Sequence, residues 1–289
     1  MSLRATARIA ALRVHPVKGC RALELDRALL TGTGIQWDRE WMFVTEGARF
    51  LTQREVPGLA RIDARVLDGE LRLSCAGHPE LRVPIDSGDE QVRVTIWSDT
   101  CLARRAAVDT REWLRGITGT AGQLVRAVRE HARVSSPTFT GSDRGEVFFA
   151  DAYALLVASP SSLADLNSRL EQPLPMNRFR PNVVLDGLQA FAEDRVEWLN
   201  LPLADGRKVR LKLVKPCTRC IVTTTDQVTG ERMGDEPLRT LRGFRWLPAL
   251  KGVAFGMNAI VVEGAGETLA VGDVFDVTWQ RQSATGEAG

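Results

Sequence analysis

Apolar and polar residues alternate along much of this chain, and a period of two marks strands with one buried face. Ala7 to Val14 alternates in this way and runs into His15-Pro16-Val17-Lys18-Gly19-Cys20, a turn closed by glycine. Trp41 to Val44 and Val92 to Trp97 read as further strands. Residues 62–73 read as a hairpin turning at Asp68-Gly69, a dipeptide that tolerates the positive φ of tight hairpin turns. Strands return at Asn182 to Leu185, at Val209 to Val214, and at Val274 to Trp279 after a Gly272-Asp273 turn. Helical spacing is scarcer. It appears over Asp109 to Ile117 and over Ser159 to Leu170, where Ser159 suits an N-cap and Pro160 the first turn. In that second helix Leu163, Leu166 and Leu170 make the buried face. Residues 230–252, rich in Gly, Pro and basic side chains, read as an exposed loop with a short helix. The expected fold class is mainly β with some helix (α+β), with strands short enough for a barrel or sandwich.

The 289 residues suffice for one large domain or two modest ones, and 44% hydrophobic with 26% charged residues is ordinary globular composition. A net charge of +2 makes neither nucleic acid nor membrane the default partner. Five cysteines, an odd number widely spread, do not form a disulfide framework. No stretch approaches the roughly 20 apolar residues of a membrane span, and the first residues lack a secretory apolar core. These features point to a reducing, cytoplasmic location, with the polar tail from Arg281 to Gly289 frayed.

The chemistry concentrates in Lys215-Pro216-Cys217-Thr218-Arg219-Cys220. A strand precedes it, and β-branched Ile221 to Thr225 follows, so the two thiols are expected at a turn between extended segments. The flanking cations favour a thiolate, the form that attacks electrophiles or binds soft metals. Structural zinc needs four ligands, and His15, His78 and His131 are scattered. A thioredoxin-like pair usually opens a helix. Two inert buried thiols remain an alternative.

Arg178 and Arg180 stand at i and i+2, and Pro181 disfavours a helical Arg180, so an extended segment would project both to one side. Such a pair binds phosphate or is simply a pair of surface arginines. Lys18 and Gly19 are either an anion-binding turn or a solvated one. Arg39, between Asp38 and Glu40, could be a surface ion-pair partner.

Taken in order, Val17-Lys18-Gly19, Trp37-Asp38-Arg39-Glu40-Trp41, Asn177 to Asn182, Pro216 to Cys220, and Thr224 to Gly230 resemble the MOSC family, and within it the amidoxime-reducing components. The resemblance covers about residues 7–280. It implies an N-terminal MOSC β-barrel domain over 1–125 and a molybdenum cofactor-binding MOSC β-barrel domain over 126–289. It also implies a molybdenum–molybdopterin cofactor in the cleft between them. Cys220 would be the metal ligand, with Lys18, Gly19, Arg39, Arg178, Arg180, Asn182, Thr218 and Arg219 as cofactor contacts and Asp226 as an acid near the reaction. Gly19 stands where relatives often carry Ser, and Ala152-Tyr153 stands where small hydroxyl residues are usual. No CxxxxCxxC run follows Gly230, so no iron–sulfur cluster is expected in this chain, nor is a pyridoxal phosphate-like phosphate site.

The implied activity is reduction of N-hydroxylated compounds: amidoximes, hydroxylamines and N-hydroxylated bases. No nicotinamide or flavin fingerprint is visible, so electrons would come from a ferredoxin or cytochrome b5-like donor and its reductase. Docking would use Arg239, Arg242, Arg245 and Lys251, with no nucleic acid or membrane partner. The alternatives are a sulfur carrier with a persulfide on Cys220 and a non-enzymatic cofactor-storage protein.

Overall fold

The computed structural model describes residues 5–280, so the expectation for the tail from Arg281 lies outside the described residues. Its frame is a closed barrel of seven strands: β1 (Thr6–Val14), β2 (Leu155–Ala158), β3 (Val183–Asp186), β4 (Val196–Pro202), β5 (Lys208–Thr218), β6 (Gly252–Glu263) and β7 (Val274–Trp279). They run β2-β3-β1-β7-β4-β5-β6, and β6 pairs back onto β2. Only the β2–β3 pair is parallel among these neighbours. The first strand of the chain therefore sits between two strands of its C-terminal half. Closure leaves no unpaired edge in this part of the sheet.

Alternation in β1 places Ala7 and Ile9 inside, and then Leu12 and Val14. The phase shifts by one residue because a bulge lies between Ile9 and Ala11 opposite β3. Ile9, Leu12, Val157, Val183, Leu199, Leu211 and Phe275 share the barrel core.

Before the barrel's second strand, the chain builds several smaller sheets, among them a four-stranded and a three-stranded one. One orders Trp41–Val44, Gln123–Ala127, Asp99–Arg105 and Gln91–Ile96; the other is Asp63–Leu67, Glu70–Ser74 and Leu81–Pro84. Trp41–Val44 is apolar at every position because it is covered on both faces. Trp41 and Phe43 enter one core, and Met42 and Val44 enter another. The expected hairpin turns at Asp68 and Gly69, both with positive φ.

Four helices are present among the described residues: α1 (Arg111–Thr118), α2 (Pro137–Thr140), α3 (Pro160–Asn167) and α4 (Leu238–Phe244). In α3 the Ser159 hydroxyl accepts from the Ser162 N–H at 3.1 Å, and Leu166 is buried with Leu163 and Leu170 packed beside it. No helix among the described residues is long and apolar enough to cross a membrane.

Two local expectations fail. Ile221–Thr224 is a 3₁₀ turn rather than an extended segment. Its threonines supply the reason, since Thr223 and Thr224 donate their hydroxyls to the carbonyls of Cys220 and Ile221 and stabilise a tight turn. Met176–Phe179 is likewise a 3₁₀ turn, closed by Arg180 in the left-handed region. Arg178 and Arg180 therefore do not project to one side.

Gly256 has φ +74°, and an added Cβ would meet the Val157 carbonyl oxygen at 2.6 Å, beside the β6–β2 pairing that closes the barrel. Gly256→Ala should lower the unfolding free energy by about 2 kcal/mol or more. Urea denaturation with unchanged stability would show that closure does not need this glycine.

Candidate functional site

Where β1 leaves the barrel, its exit turn faces the end of β5 across a cleft of about 160 Å³. Its lining includes Lys18, Gly19, Arg39, Arg180, Asn182, Thr218, Arg219 and Cys220 from the sequence expectations. Arg178 and Asp226 are not among the lining residues. Arg178 is buried beneath the turn after Cys220, with N–H groups 3.4 Å from the Thr223 carbonyl and from Asp226. Asp226 accepts from the N–H groups of Val228 and Thr229 at 2.8 and 3.0 Å. The Thr229 N–H is the main reason its carboxyl lies below its ordinary value, with Val228 and Arg178 adding to the effect against desolvation. A carboxyl stabilised as its anion is a poor proton donor, so Asp226 reads as the anchor of its loop.

The cationic residues are set by the backbone as much as by side-chain contacts. Arg39 and Arg180 both have left-handed φ, +49° and +56°. Arg39 donates to the buried Asp38 carboxylate and, at 3.1 Å, to Asn182 Oδ1; its other terminal nitrogen lies 3.4 Å from the Arg180 carbonyl. Asn182 Oδ1 also accepts from the Leu156 N–H at 3.1 Å, and Nδ2 donates to the Arg13 carbonyl at 3.2 Å. Its side chain thus ties strands together and steadies Arg39. Arg180 donates to Gln227 Oε1 at 2.8 Å. Lys18 Nζ donates to the Phe149 carbonyl at 2.8 Å and to Asp151 at 2.5 Å.

Charge crowding marks this cluster. Desolvation first, and then Arg39 beside it, pushes the Arg180 guanidinium down to about 9. Lys18 is lowered by burial, with Asp151 opposing. Burial, Arg39 and Arg180 push the fully buried His15 well below its ordinary value despite Asp38, so its imidazole is neutral. Burial acts to raise Asp38, but the Arg39 charge and the His15 contact outweigh it and hold the carboxyl at about 2.

On the sulfur side, Arg219 donates to Cys217 Sγ at 2.8 Å and to the Phe179 carbonyl at 2.6 Å. Its buried Nε has no partner among the described residues. Cys220 is half-buried and sits just before the 3₁₀ turn. The arginine expected to favour a reactive thiolate therefore contacts the first cysteine of the pair.

The lining residue Gln53 carried no sequence signal, and the contact it makes with Gln227, which itself does not line the cleft, carried none either. Gln53 and Gln227 pair their amides reciprocally at 3.1 and 3.0 Å, and Gln53 also donates to the Gly19 carbonyl. Nothing in the spacing links residues 174 positions apart. Trp97 and Arg54 also line the cleft, brought there by a hairpin and a loop.

Two family models match in tandem: the MOSC N-terminal beta barrel domain over residues 6–121 and the MOSC domain over 144–276. Mitochondrial amidoxime-reducing component 1 of Mus musculus is 31% identical over 281 residues, spanning 92% of this chain and 80% of that protein. The chain belongs to the MOSC family. The human counterpart is 29% identical, with 92% of this chain and 81% of that protein aligned. Among solved structures, the YUAD protein from Bacillus subtilis aligns over 97% of this chain and 100% of its own at 12% identity, with a TM-score of 0.46.

Because Asp38 titrates near 2 when folded against 3.8 ordinarily, its contribution is complete above about pH 4 and disappears as pH falls through 2. It amounts to something on the order of 2 kcal/mol. Asp38→Asn should flatten the fall in stability between pH 4 and pH 2, followed by urea midpoints. An unaltered slope would mean that Arg39 does not hold this carboxylate.

Proposed function

We propose that this MOSC protein is a molybdenum cofactor-dependent reductase of N-hydroxylated compounds, supplied with electrons by a separate protein. The observation that carries this reading is one cleft lined by the Cys220 thiol and by Lys18, Arg39 and Arg180, which come from both halves of the chain. That donor set fits a molybdopterin. Thiolate is a soft metal ligand, and three cations suit a terminal phosphate. The unpartnered Arg219 Nε offers a further donor.

In this reading Cys220 ligates the metal, and Lys18, Arg39 and Arg180 neutralise the phosphate. The Gly19 turn and Thr218 border the organic scaffold. Asn182 acts through Arg39. When bound, the cofactor supplies a two-electron centre able to accept oxygen. Cleavage of the substrate's N–O bond consumes two electrons and two protons and yields the N–H compound and water. The protein's share is to orient the substrate and limit water. The only carboxylate lining the cleft among the described residues is Asp151, held by Lys18.

A ferredoxin or cytochrome b5-like donor would dock by charge. In the basic segment expected to receive it, Arg239 is paired with Glu236 and Arg245 with Asp194. Arg242 and Lys251 are exposed and form no ion pair among the described residues, so docking there would rest on these two.

Protein made in cells that build molybdopterin should carry about one molybdenum per chain and reduce benzamidoxime with reduced viologen. Cys220→Ser should lose both, whereas Cys217→Ser should retain most of the metal. A metal-free wild type with cyanolysable sulfur on Cys220 would overturn the reading in favour of sulfur transfer.

A further inference from the structure

The hairpin between Gln91–Ile96 and Asp99–Arg105 turns through two residues, Trp97 and Ser98, since Ile96 pairs directly with Asp99. Trp97 has φ +54°. The first loop position of such a turn, with positive φ, is where glycine is favoured. Tryptophan there is among the most strained choices available, and strain of this kind persists only where surrounding contacts enforce it.

Those contacts are present. The Trp97 indole N–H donates to Asp151 Oδ1 at 3.2 Å, on the same oxygen that Lys18 holds. Phe50 meets the ring edge-on with centroids 4.8 Å apart. The Arg54 guanidinium lies over the ring, 4.3 Å from its centroid. Yet Trp97 remains 42% exposed, and both Trp97 and Arg54 line the cleft. A large apolar ring fixed by three partners and still open to solvent does little for the core. Stability alone would favour glycine at the turn and an aromatic side chain pointing inward. The Trp97–Arg54 stack instead presents delocalised planes at the mouth of the cleft, where a flat π-system can add to the layer.

We infer that Trp97, with Arg54 stacked on it, is a specificity element that selects planar aromatic substrates at the cleft mouth. This rests on the proposed reductase reading for the identity of the reacting group, an N-hydroxylated amidine. The preference for an arene depends only on the stack. Aryl amidoximes would lie with the ring on the shelf and the N–O group toward Cys220. Saturated analogues of similar size would gain only area burial, which is non-directional.

The test is binding to the cofactor-loaded protein without any reductant, so that no turnover occurs. Calorimetric titration compares benzamidoxime, cyclohexanecarboxamidoxime and acetamidoxime. The wild type should bind the aryl compound about tenfold more tightly than the cyclohexyl one. Trp97→Gly, which relieves the turn rather than straining it, should erase that difference while molybdenum content stays unchanged. Trp97→Phe should keep part of the difference. Equal affinity for the aryl and cyclohexyl ligands in the wild type, or an undiminished difference in Trp97→Gly, would overturn the assignment. Either result is separable from failure of the reductase reading, which would appear as missing molybdenum and absent turnover.

Discussion

Like charges crowded into a partly desolvated cleft constrain everything near the site. Burial and then the neighbouring Arg39 charge depress the Arg180 guanidinium, and Lys18 lines the same cleft. Repulsion among them must be offset by fixed negative groups or by a bound anion. Asp38 is buried behind Arg39, and Asp151 stands in front of Lys18. His15, which could add another positive charge, is held neutral. Two carboxylates against three cations leave a surplus facing the cleft, and an anionic group is the natural complement.

The backbone enforces this crowding. Arg39 and Arg180 are each held in a left-handed conformation that side chains seldom adopt, and Asn182 links Arg39 to the Arg13 carbonyl and the Leu156 amide. Strain of about 1–3 kcal/mol per such residue survives only where the frame is stiffer than the loop it supports. Here the frame is the closed barrel. The reciprocal amides of Gln53 and Gln227, with Arg21 reaching the Gln227 and Val228 carbonyls, clamp the loop after Thr225 across the two halves.

Much of this was legible in the sequence, for identifiable reasons. Strand periodicity revealed the β class, and Asp68-Gly69 and Ser159-Pro160 marked their turn and cap because local chemistry decides them. Lys18, Arg39, Arg180 and Cys220 line one cleft, the grouping that the family resemblance implied. Arg178 and Asp226 do not line the cleft, and neither position could have been separated from its neighbours by spacing. The difference lies in two 3₁₀ turns: Met176–Phe179 carries Arg178 beneath the turn Ile221–Thr224, and Asp226 follows that second turn in a loop of its own. The pairing of Gln53 with Gln227 and the packing of Trp97 could not be read because they come from contacts far apart in sequence.

The position of β1 also bears on how the chain reaches this state. Thr6–Val14 leaves the ribosome well before two of its partners, Val183–Asp186 and Val274–Trp279, which lie far downstream in sequence. Until then only Leu12–Val14 can pair, with Leu23–Leu25, and the rest of an apolar strand waits unpaired, the condition under which nascent chains mispair or need chaperones. Because that strand leads directly into Lys18 and Gly19, the basic cleft can assemble only after Arg180, Cys220 and the strand Val274–Trp279 have been made. A group that needs both sides of the cleft must therefore enter after those distant strands have paired.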